Sequence, residues 1–201
     1  MIQIAVFVSG GGTNLQALID AEKNGQIHSG HIALVLSSKP GVFALERAAQ
    51  AGIPGLVVSR KDCSGQAEFE ERILAALDAY HIDMIVLAGF MSILSADFTR
   101  RWPERIINVH PALIPSFCGR GYYGLRVHEA ALAYGVKVTG ATVHYVNEIP
   151  DGGRIILQKA VEILPGDTPE VLQRRVMEQA EWILLPQAAE LVAARLSQER
   201  S

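Results

Sequence analysis

Short runs rich in valine and isoleucine recur through the first half of the chain, at Ile2 to Val8, Ile32 to Leu36, Leu56 to Val58 and Met84 to Leu87. Segments of helical periodicity separate them, which is the signature of repeated strand-helix-strand units. Runs apolar on both faces suit parallel strands covered by helices on each side, the plan of an open, doubly wound sheet. Helices are expected at about Asn14 to Lys23, Phe43 to Ala51, Gln66 to Tyr80 and Ala96 to Arg101; in the third, Phe69, Ile73, Leu74 and Leu77 make one apolar face. After Pro103 the rhythm changes. Strands are expected at Arg105 to His110, Gly140 to Val146 and Ile155 to Ile163, one of them antiparallel, with a helix near Val127 to Tyr134. Thr168 followed by Pro169 should start a long terminal helix, because threonine caps free amides and proline tolerates the first helical position. Pro186 should kink or break it. The expected fold is a single α/β domain over residues 1–201, Rossmann-like and doubly wound, with a mostly parallel sheet and a late antiparallel strand.

A chain of 201 residues can bury a core without metals or disulfides, and 49% hydrophobic with 19% charged residues excludes a disordered or fibrous protein. The net charge of -3 supplies no basic surface for nucleic acid. Cys63 and Cys118 make neither a disulfide framework nor a metal-ligand spacing, so a reducing compartment is expected. The N-terminus enters its first strand without a basic leader, and no apolar run approaches the roughly 18 residues of a membrane span. These features point to a soluble, cytoplasmic protein that engages neither nucleic acid nor membrane; none of them sets an oligomeric state.

Ser9-Gly10-Gly11-Gly12-Thr13-Asn14-Leu15 joins the first strand to the first helix, where backbone N–H groups and the helix dipole favour an anion. No Gly-Lys-Ser/Thr follows, so this is not a Walker A loop, and Leu15 stands where the dinucleotide fingerprint needs its third glycine. Ser37-Ser38-Lys39, after the second strand, offers no acid for a ribose diol. A monophosphate fits this loop better than NAD; the alternative is a tight glycine turn without a ligand.

Asn108 and His110 lie two residues apart in an extended segment and so share a face, and Pro111 favours that extension. His110 then sits at the strand's carboxyl end, where open α/β sheets build their sites. The turn-rich loop Asn147-Glu-Ile-Pro-Asp-Gly-Gly delivers a carboxylate, Asp151. Each residue alone also fits a structural role. Together they suit acyl transfer to an amine: a tetrahedral oxyanion needs donors, which Asn108 and a protonated His110 supply. A proton must also move, which Asp151 with a water can carry, while its charge favours the imidazolium. No covalent intermediate is required. His128 and His144 share no ligand spacing with a third donor, and no metal is expected.

Four motifs, Ser9-Gly-Gly-Gly-Thr-Asn-Leu-Gln, Val86-Leu-Ala-Gly-Phe-Met-Ser-Ile-Leu, Asn108-Val-His-Pro-Ala-Leu-Ile-Pro and Asp151-Gly-Gly-Arg-Ile-Ile-Leu-Gln, closely resemble those of the folate-dependent formyltransferase family, in order and across nearly the whole chain. The resemblance implies an enzyme of purine synthesis that moves a formyl group from 10-formyltetrahydrofolate to the amine of glycinamide ribonucleotide. It assigns the catalytic Asn, His and Asp to Asn108, His110 and Asp151. It also implies that Gly12, Thr13 and Asn14 hold the substrate phosphate, with Glu181 near the substrate. Met91, Ser92, Ile93 and Leu94, with Asn108, Asn147, Glu148, Ile149, Pro150 and Asp151, would line the folate pocket. Ile114-Pro115 resembles the family's cis-proline turn.

Three departures accompany the match. Ser92 stands where many relatives carry arginine, and Gln66 where an arginine helps to hold the folate, so the folate's glutamate tail is expected to be held differently. Gln179-Ala-Glu-Trp replaces a Glu-His pair, so Glu181 aligns only with a one-residue slip. The glycine-rich stretch Ser116 to Leu125 is longer than in many relatives and is either a substrate lid or a surface loop. Gly140-Ala-Thr-Val-His-Tyr-Val also resembles formyltetrahydrofolate deformylase. That reading is disfavoured by Pro111 after His110 and by the expectation that no regulatory domain precedes the first strand. The tRNA-formylating branch is disfavoured by the expectation that no RNA-binding domain follows. A nucleotide-binding relative without chemistry is the remaining alternative.

Overall fold

The computed structural model describes residues 1–200. Its strands are β1 (Ile2–Val8), β2 (Gly30–Ser37), β3 (Gly55–Val57), β4 (Met84–Leu87), β5 (Ile106–His110), β6 (Val138–Tyr145) and β7 (Ile155–Glu162). They form one seven-stranded sheet in the order β3-β2-β1-β4-β5-β6-β7. The helices are α1 (Thr13–Lys23), α2 (Phe43–Gln50), α3 (Gln66–Ala79), α4 (Ala96–Arg100), α5 (Leu125–Tyr134), α6 (Pro169–Val176) and α7 (Trp182–Glu199). The first five strands pair in parallel, and β6 runs against both β5 and β7. The sheet is therefore doubly wound and mostly parallel with one late strand reversed, as the sequence pattern implies. Winding proceeds from β1 out to β3 and then restarts at β4, so the switch point lies between β1 and β4.

β1 shows why both faces need cover. Ile2, Ile4, Val6 and Val8 pack with Leu15, Leu18 and Ile19 of α1 and with Leu184, Leu185 and Val192 of α7. Ala5 and Phe7 join the opposite layer, with Phe69, Ile73 and Leu77 of α3 and Phe98 of α4. Alternate side chains point to opposite faces, and burying each large one contributes about 1.5–3 kcal/mol. β2 and β6 begin ahead of their apolar runs because His31 and Thr139 interrupt the pattern within the ladders.

Thr168 caps α6 by accepting from the Val171 N–H at 3.3 Å, with Pro169 at the helix start. Pro186 lies inside α7 without breaking it. The irregularity is instead a π-helical turn at Met177–Glu181. A proline acts on the turn before it, since its ring meets the carbonyl four residues back and its missing N–H leaves that carbonyl unbonded. Trp182, four residues before Pro186, follows directly on the wide turn. Among the described residues no helix is long and apolar enough to cross a membrane.

Candidate active site

The loop after β1 turns into α1 at Gly12, whose φ is 72°. A Cβ there would lie 2.7 Å from the Ala44 Cβ, so only glycine lets the loop seat against α2. No side chain caps the first amides of α1, which leaves a donor-rich, positive helix end. Arg47 of α2 braces the loop, Nε donating to the Gly11 carbonyl and Nη1 to Gln16 Oε1, each at 2.9 Å. Asn14 Nδ2 donates to Glu181 Oε2 at 2.7 Å, and Asn14 Oδ1 is buried without a hydrogen-bond partner. Glu181 is buried and forms no ion pair among the described residues. Burial pushes its carboxyl up to about 6, against the opposing effect of the Asn14 amide. Glu181 closes a π-helical turn at 177–181, which holds one residue more than an α turn.

At the carboxyl end of β5, Asn108 pairs across the ladder with His144 and His110 with Thr142. The Asn108 amide nitrogen lies 3.3 Å from His144 Nε2. His110 Nε2 contacts the Phe117 carbonyl and His144 Nδ1 the Tyr145 carbonyl, both at 2.8 Å. A carbonyl only accepts, so these nitrogens carry protons. Asp151 faces the other nitrogen of each ring, Oδ2 at 3.6 Å from His110 Nδ1 and Oδ1 at 3.5 Å from His144 Nε2. Its backbone has a φ of 57°, in the left-handed region that aspartate tolerates. Two residues on, any Cβ at Gly153 would overlap the Tyr145 carbonyl oxygen, which explains the glycine that follows the carboxylate.

Burial drives the His110 pKa down and outweighs the pull of the Asp151 charge and the Phe117 carbonyl. A ring 4% exposed loses more hydration than one carboxylate restores, while the Asp151 charge still pulls toward the imidazolium. Burial alone would raise Asp151. The contact with His144, the charge of His110 and the Gly119 N–H, which donates at 2.8 Å, prevail and hold the carboxyl below its usual range. His128 of α5 is fully buried with both ring nitrogens unpartnered, and burial together with the His110 charge lowers it to about 4.

Beside Asp151, a cleft is lined by Leu87, Phe90, Ser92, Ile93, Leu94, Asn108, His144, Val146 and the loop 147–151. The structure thus brings Ser92, Ile93 and Leu94 to one cleft with Asn147, Glu148, Ile149, Pro150 and Asp151. Met91 stands apart from it. Its side chain is half exposed, and its N–H donates at 2.9 Å to Ser9 Oγ, which also bonds Ser38 Oγ at 2.6 Å. Ser9 therefore ties the loops after β1, β2 and β4 together. The Ile114–Pro115 bond is cis. The stretch from Ser116 lies on the site through Phe117 and Gly119. Those contacts are made by backbone atoms, which no side-chain pattern reveals. His144, passed over in the sequence, shows its place only once β6 is paired with β5. Among the described residues no group of three or more His, Cys, Asp or Glu side chains is arranged to hold a metal ion.

A sheet whose winding reverses where a glycine loop opens, with histidines and a carboxylate meeting at the neighbouring strand ends, is the plan of a Rossmann-like α/β enzyme. Comparison with known proteins agrees: residues 2–188 match the formyl transferase family. A phosphoribosylglycinamide formyltransferase of Haemophilus influenzae is 44% identical over 89% of this chain and 82% of its own length. The crystal structure of glycinamide ribonucleotide transformylase 1 from Symbiobacterium toebii superposes with a TM-score of 0.90 at 40% identity, covering 97% of this chain and 89% of that one. The trifunctional purine biosynthetic protein adenosine-3 of Drosophila melanogaster is 46% identical over 90% of this chain, which spans 13% of that protein's length. The chain belongs to the formyl transferase family.

Proposed function

We propose that the chain transfers the formyl group of 10-formyltetrahydrofolate to the amine of glycinamide ribonucleotide, giving the formylated ribonucleotide and tetrahydrofolate in cytoplasmic purine synthesis. The observation that carries this reading is the meeting of Asn108, His110, His144 and Asp151 at one end of an apolar cleft. Phe90, Ile93 and Leu94 give that cleft the walls a flat heterocycle needs, and the backbone of loop 147–150 supplies groups for its polar edge. Gly12, Thr13 and Asn14 suit the substrate phosphate. The unpartnered Asn14 Oδ1 and the Glu181 carboxyl offer acceptors to the rest of the ribonucleotide.

The amine attacks the formyl carbon, and the carbonyl electron pair moves onto oxygen. Asn108 and His110 donate to that oxygen, His110 through the N–H that Phe117 holds at rest. A water held by Asp151 takes the proton from the new ammonium and passes one to the folate nitrogen. The bond from carbon to that nitrogen then breaks, restoring the carbonyl. The test is product formation from both substrates beside a control lacking the ribonucleotide. Formylated ribonucleotide in the full reaction alone is expected. Equal formyl loss in both makes the chain a hydrolase, and no turnover in either refutes the reading.

A further inference from the structure

We infer that Arg60 supplies the cationic contact for the carboxylates at the far end of the folate, in place of an arginine at position 66 or 92; the inference rests on the formyl-transfer reading of the same cleft. Gln66 opens α3 outside the cleft and reaches its wall through Ile93, Nε2 donating to the Ile93 carbonyl at 3.1 Å and to Glu70 Oε1. The Glu70 carboxylate is already engaged, since Ser95 donates to it through its N–H and its hydroxyl, each at 2.6 Å. The remaining polar atom of Gln66, Oε1, accepts from Arg60 Nη1. Arg60 stands on the short 3₁₀ turn Arg60–Asp62, capped by Ser59, with its guanidinium 6.0 Å from the centre of the Phe69 ring.

Every partner of this guanidinium is neutral. Arg60 is exposed and forms no ion pair among the described residues, so it is oriented while its charge is left uncompensated. The cleft itself carries the opposite sign, in Glu148 and Asp151. A ligand with a flat ring at one end and carboxylates at the other is therefore driven to leave past Ile93, where the Gln66 bridge leads to Arg60. A reduced folate has this polarity, and a guanidinium can fork onto a carboxylate where the Gln66 amide cannot.

The test compares dissociation constants of the intact protein for 10-formyltetrahydrofolate and for an analogue whose glutamate is replaced by an uncharged methylamide. Arg60→Ala is expected to weaken the folate about fivefold, the scale of an exposed ion pair, and not the analogue. Adding Gln66→Arg should recover the loss, and Lys61→Ala, removing a neighbouring exposed charge, should not reproduce it. Equal weakening of both ligands, or of neither, overturns the assignment. Tail preference without turnover would sink the formyl-transfer reading alone, turnover without dependence on Arg60 would sink the tail assignment alone, and binding of neither ligand sinks both.

Discussion

Asp151 stands between two imidazoles and the Gly119 amide, and its charge is what all three answer to. Asp151→Asn preserves the shape and an acceptor for Gly119 while removing that charge. The expected result is a fall in kcat of roughly 10²–10⁴ with the folate still bound, the scale of a lost proton-transfer group. A variant that keeps its kcat and loses only affinity would contradict the assignment. Asn108 and His110 are legible in the sequence because the period of a strand and the proline behind them fix their direction, and Asp151 because Asp-Gly-Gly marks a loop. His144 is not, since its part depends on which residue of β5 it faces. The lowered pKa of His110 is equally hidden: it follows from burial, which only the packed molecule reveals.

Among the elements, the strand-helix alternation is legible because each strand is apolar on both faces, and the start of α6 because Thr168 and Pro169 state it locally. Thr168→Ala removes the one side-chain acceptor for the Val171 N–H and should lower stability by about 1 kcal/mol, read as a lower urea midpoint. An unchanged midpoint would mean that the helix start is held by packing alone. The π turn was not legible, because nothing in the residues 177–181 distinguishes it from an α turn. Pro186 marks a disturbance in the sequence but not its kind or its place, which is the turn before α7.

For the whole molecule, two buried groups set opposing responses to pH. His128 falls from 6.5 to about 4 on folding, so its contribution is complete above pH 6.5 and is lost as the pH drops toward 4, about 3 kcal/mol in all. Glu181 rises from 4.5 to about 6, so its contribution is complete below pH 4.5 and is lost as the pH climbs through 6, about 2 kcal/mol. Between pH 6.5 and 4.5 the two oppose each other, and the net profile should be shallower than either. Urea unfolding across this range should steepen in acid for Glu181→Gln, which is also the more stable protein at pH 7, and reverse for His128→Leu, which should gain stability as the pH falls through 6. Matching slopes in all three proteins would refute the account. The wide turn before α7 bears on how such a chain varies over time. One added residue in a helix rotates everything beyond it by about 100° and would swing a buried face into water. Here the widening is confined to the single turn at 177–181, and Leu184, Leu185 and Val192 lie in the core. A turn of this kind lets a helix take up a residue without swinging its apolar face off the sheet, so an insertion within 177–181 should be tolerated where one in the middle of α7 is not.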